Sequence, residues 1–196
     1  MPERTTRIKL LERALLTGGG VAVGGLVIAA LPDRAGSKPS PAQDAEILNF
    51  ALLLEYVQEG LYADALRRKA LTGELREFAE IVGSHERAHI AFIRKALGEK
   101  ARRRPKLDFG DDTATAESFT DVALKLEDLG VAAYNAQAPN LTNAALAAAA
   151  RIVSVEARHA SWIRAIAGVT PAPDASEPPA SAKRVVATLN GSGYVQ

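Results

Sequence analysis

Six side chains of this 196-residue chain are of types that can share one piece of chemistry: Glu55, Glu86, His89, Glu127, Glu156 and His159. Two histidines each stand three residues after a glutamate, in Glu86-x-x-His89 and Glu156-x-x-His159. On a helix, positions i and i+3 project from one face about one turn apart, so each pair presents a carboxylate and an imidazole together. The other two glutamates each precede a tyrosine by seven residues, Glu55 with Tyr62 and Glu127 with Tyr134. Both Glu-x-x-His pairs lie within otherwise apolar helical stripes, which directs them into a core, and bundle assembly brings the other two glutamates to them. Four carboxylates buried alone would be driven to protonate by desolvation and mutual repulsion. Two divalent cations balance them, and two neutral imidazoles complete the shells. The four glutamates are then candidate ligands and also the candidates for catalytic work.

The set is duplicated in order along the chain. In Ser84-His85-Glu86-Arg87-Ala88-His89-Ile90-Ala91-Phe92-Ile93-Arg94 and Ser154-Val155-Glu156-Ala157-Arg158-His159-Ala160-Ser161-Trp162-Ile163-Arg164, the Ser, Glu, His, aromatic, Ile and Arg recur at an offset of 70. Leu54-Glu55 with Tyr62 and Leu126-Glu127 with Tyr134 recur at an offset of 72. One Glu-x-x-His is a weak signal, whereas the doubled, ordered set is a strong one. Tyr62 and Tyr134 fall on the ligand face, either hydrogen-bonding the ligands or holding an oxidising equivalent, or packed in the core with satisfied hydroxyls. Glu59, one turn from Glu55, reads as an extra ligand, a proton carrier or an exposed charge; its counterpart is Val131. A competing pattern is His85-Glu86-x-x-His89, the zinc-hydrolase helix in which both histidines bind zinc. The repeat argues against it, because His85 aligns with Val155. On that reasoning His85→Ala leaves a two-metal centre nearly intact.

These residues need helices to position them. Alanine, leucine, glutamate and arginine dominate, strand signatures are absent after residue 40, and the expected class is all-α. Four long helices are predicted: Asp44 to about Ala70, about Glu74 to Gly98, about Ala116 to Gln137, and about Thr142 to Gly168. Thr72-Gly73, Pro139, and Pro171 with Pro173 supply the breaks. A short amphipathic segment, Ala182 to Leu189, closes the chain. Short turns make each successive pair antiparallel. The connection from Gly98 to Ala116 reaches about 56 Å at about 3.3 Å per residue, enough to cross the bundle lengthwise. Its Lys100, Arg102, Arg103, Arg104 and Lys106 read as a solvated basic loop. Counting outward from each turn puts Glu55 level with Glu86 and Glu127 level with Glu156.

Composition bounds the rest. With 24 basic and 23 acidic side chains the net charge is +1, which excludes nucleic-acid binding by bulk electrostatics. No cysteine is present, so thiolate zinc sites and iron–sulfur clusters are excluded. Arg4, Arg7, Lys9 and Arg13 precede an uncharged stretch from Ala14 to Leu31. Residues 1–31 therefore read as a secretory signal peptide or a retained N-terminal membrane anchor, and the protein as exported. Residues 32–43 read as a flexible linker, 44–170 as the helical bundle, and 171–196 as a Pro-rich spacer with the short helix.

One Glu from each of two helices and Glu-x-x-His from each of two others is the ligand set of di-iron and di-manganese carboxylate bundles. From about residue 41 to 196, including LNFALLLEY and the closing LNGSGYV, the chain resembles ferritin-like proteins of the bacterial and plant group that includes desiccation-related proteins. The resemblance implies a ferritin-like four-helix bundle, two helix hairpins joined by a long crossover. It also implies that Glu86 and Glu156 bridge two metals, that Glu55 and Glu127 bind terminally, and that His89 and His159 cap one metal each. The implied cofactor is two iron ions, with manganese the alternative. The implied partners are O2 or peroxide, in stress-protective redox chemistry. A structural, stress-protective bundle without turnover is the alternative function, and a homodimer is left open.

Overall fold

The structure, a computed structural model, describes residues 38–176 and 178–196. The signal or anchor expected over 1–31 lies outside the described residues. Four long helices, α1 (Pro41–Arg68), α2 (Gly73–Leu97), α3 (Ala116–Gln137) and α4 (Asn143–Ile166), form two antiparallel hairpins, and a short α5 (Ala182–Ser192) follows. Helix α1 starts at Pro41, inside the stretch read as linker. Ser40 caps it, its side chain accepting from the Gln43 amide, and proline is suited to the first turn. Left-handed backbone at Lys69 ends it. Thr115 and Ser118 form a capping box at the start of α3, and Thr142 caps α4. No described helix is long and apolar enough to cross a membrane.

Helix α1 is the centre of the molecule. Every residue from Asn49 to Tyr62 is buried, so the helix lacks a polar face. The reason is the connection between α2 and α3, which runs along its outer side. Asn49 donates to the Lys100 carbonyl and accepts from the Arg102 amide. Farther on, Gly60 makes room: a Cβ there would stand 2.6 Å from Leu107 Cδ1 and 3.2 Å from Phe109. Arg68 then donates to the Gly110 carbonyl at 2.6 Å. The connection is thus a crossover spanning the bundle. Its basic side chains are exposed, as expected of a solvated loop, and two of them reach back to α1, Arg102 pairing with Glu46 and Arg104 with Glu59. The chain end seals it: Asp108 N–H donates to the Tyr194 carbonyl, and Tyr194 Oη to Asp112 at 2.7 Å.

The hairpins are tied to each other at both ends. Asp44 accepts from the Thr142 amide at 2.9 Å and its hydroxyl at 2.6 Å. At the other end the Trp162 indole donates to Glu74 at 2.9 Å while its ring meets Phe78 edge-on. Between the ties lies the layer that holds the six side chains.

Candidate metal centre

Glu55 comes from α1, Glu86 and His89 from α2, Glu127 from α3, and Glu156 and His159 from α4. The four glutamates are fully buried, and the histidines nearly so. Two overlapping groups form, Glu55, Glu86, His89 and Glu156, and Glu86, Glu127, Glu156 and His159, each with ligand atoms within 4.8 Å of one another. Glu86 and Glu156 belong to both. In the first, His89 Nδ1 lies 3.2 Å from Glu55, 3.2 Å from Glu86 and 2.9 Å from Glu156. A single ring N–H cannot serve three carboxylates at once. In the second, His159 Nδ1 lies 3.1 Å from Glu86 and 3.4 Å from Glu127. Glu86 Oε1, Glu127 Oε2, Glu156 Oε1 and His159 Nδ1 are buried and make no directed hydrogen bond.

Protonation compensates in the metal-free protein. Burial, reinforced by Glu86, pushes Glu55 up to about 8. Burial also raises Glu127. For His89 burial works downward, but the close carboxylates of Glu156, Glu55 and Glu86 prevail and push it to about 12. His159 rises to about 11 in the same way, through Glu127, Glu156 and Glu86.

The tyrosines are crossed between hairpins. Tyr62 on α1 donates to Glu127 Oε1 on α3, and Tyr134 on α3 donates to Glu55 Oε1 on α1 at 2.6 Å. Burial and the neighbouring carboxylates hold both phenols well above their usual range, so both remain donors. Glu59, by contrast, joins neither group: it turns to Arg104 at 2.5 Å and Arg87 at 3.8 Å.

Two further residues stand at the centre. Gln58 Nε2 donates to Glu127 Oε1 at 3.1 Å and Glu156 Oε2 at 3.3 Å. His85 is exposed, yet its Nδ1 lies 2.9 Å from His159 Nε2 with the rings stacked. Partial desolvation and the two other histidines lower its pKa, which suits an acceptor. His85 is thus not idle, and it is also not in either donor group, as a zinc-hydrolase helix would require. Neither Gln58 nor His85 has a counterpart in the repeat, so the sequence does not single out Gln58, and it offers His85 only as a zinc ligand.

A cavity of about 410 Å³ opens between α1, α2 and α4, with Ile93, Ile152 and Tyr134 among its walls. Ile93 is one turn beyond His89 and Ile152 one turn before Glu156, so the cavity ends about a turn from the carboxylate layer.

A family model described as a ferritin-like domain matches residues 43–169. The chain belongs to the ferritin-like family. The match runs from the first turn of α1 past the end of α4 and contains all six residues. A comparison with curated proteins returned no match. The donors of this ferritin-like bundle fit a metal ion on their own chemistry. One atom from each residue of the second group, a nitrogen and three carboxylate oxygens, converges without a directed hydrogen bond, as coordination requires.

Proposed function

We propose that this ferritin-like protein holds two metal ions, iron or alternatively manganese, and works in redox chemistry with O2 or peroxide in stress protection. The observation that carries the reading is the pair of four-residue donor groups sharing Glu86 and Glu156. Shared carboxylates place two cations close together, and three oxygens with one nitrogen per position favour iron or manganese over softer-ligand metals. When bound, a pair of iron ions supplies two electrons by passing from ferrous to ferric. The chain's own residues do the rest. Glu86 and Glu156 join the two positions, while Glu55 and Glu127 close the ends, each steadied by a tyrosine from the opposite hairpin. Buried α1 and the crossover shut water out on one side, and the cavity beside Tyr134 offers a small molecule a route on another. The basic, then apolar N-terminal pattern supports export as part of the same proposal.

The test is anaerobic loading with Fe(II), followed by O2 or peroxide, with ferric absorbance and oxidant consumption recorded. Oxidation of two Fe(II) per chain, lost in Glu86→Ala, is the expected result. Fe(II) that binds but reacts no faster than in buffer contradicts the redox role and leaves a structural bundle.

A further inference from the structure

An exact repeat would make the two halves of the centre equivalent, but their surroundings differ. On the Glu127–His159 side, Glu127 Oε1 accepts from both Tyr62 and Gln58. On the other side, Glu55 Oε1 accepts from Tyr134. The position equivalent to Gln58 is Gly130, where a Cβ would come within 3.2 Å of Gln58 Nε2. The missing side chain is what lets Gln58 reach Glu127 and Glu156. The histidines differ likewise. With His159 Nδ1 given to a metal ion, its Nε2 would carry the proton and donate it to His85 Nδ1, which lies 2.9 Å away. Such an outer partner fixes ring orientation and strengthens the ligand. Beside His89 the equivalent position is Val155, which has no polar atom to offer. Access is unequal too, because Tyr134 borders the cavity whereas Tyr62 is fully buried.

We infer that the centre is graded: the position framed by Glu127 and His159 is filled first and retained, and the one framed by Glu55 and His89 is exchangeable. His85 and Gln58 are the positioning residues that set the difference. The inference rests on the two-metal reading.

Titration of the metal-free full chain with Co(II), followed by calorimetry and visible absorption, tests it. Two steps separated by about tenfold or more are expected, since outer-shell partners change metal affinity by about 10- to 100-fold. Glu55→Ala should keep the tighter step and Glu127→Ala should lose it. His85→Val, at an exposed position that the fold tolerates, should weaken the tighter step by about tenfold and shift the first Co(II) band. Val155→His should strengthen the weaker step. Two equal steps, or a tight step that survives Glu127→Ala, would overturn the grading and leave the two-metal reading intact. Fewer than two Co(II) in the wild type would overturn that reading as well.

Discussion

Glu86 and Glu156 each reach both donor groups, whereas Glu55 and Glu127 reach one apiece. That difference dictates how loss of a side chain should act. Glu86→Ala removes an oxygen from both positions and should lose both metals together, while Glu55→Ala should lose one. Metal content of the two purified variants checks this, and full stoichiometry in Glu86→Ala would contradict the shared role. At this scale the six side chains were legible because each occurs twice at a fixed helical spacing, and chance does not readily repeat an ordered set. Gln58 was not legible, and His85 was legible only as a zinc ligand rather than as a partner of His159, since the value of both lies in departing from the repeat. Glu59 shows the opposite failure. Its spacing suits the ligand face, but a guanidinium from the crossover claims its carboxylate, and no local pattern reveals so distant a partner.

Helices were read from period and breakers, and the four long ones lie within about three residues of their expected ends. What period alone left out was the cover on α1. A helix buried on all sides gives no amphipathic signal, and its run from Asn49 to Tyr62 is explained by the crossover lying over it. The basic residues of that crossover are solvated as expected, but the pairing of two of them with Glu46 and Glu59 was hidden, since those carboxylates are distant in sequence. Gly60 is the point of closest approach, so Gly60→Leu should push Leu107 and Phe109 away. We expect a loss of about 1–3 kcal/mol of stability, as for overpacking elsewhere. Denaturant unfolding measures it, and unchanged stability would mean that the crossover does not bear on α1. Metal stoichiometry should survive, because Gly60 faces away from the carboxylate layer toward the crossover.

For the whole molecule, the centre couples folding to protons. Unfolded, Glu55 sheds its proton near 4.5 and the histidines near 6.5; folded, they keep theirs to about 8 for Glu55, about 12 for His89 and about 11 for His159. The folded metal-free state therefore binds more protons between these limits, and stability falls as pH rises. For Glu55 the stabilising effect of the proton is fully present below 4.5 and gone above about 8; for the histidines it is present below 6.5 and lost through about 11 to 12. The Tm of metal-free protein should drop from pH 5 to pH 9, with a flatter slope below about pH 8 in Glu55→Gln. Metal competes with those protons, so the gain in Tm on loading should widen over the same range. A metal-free Tm that climbs with pH would show that Glu55, His89 and His159 do not hold these protons. The most direct test of the central claim is metal content per chain, by elemental analysis of protein purified without chelator. Two iron or manganese ions per chain are predicted; a single zinc, or no metal even after reconstitution, would contradict the paired centre.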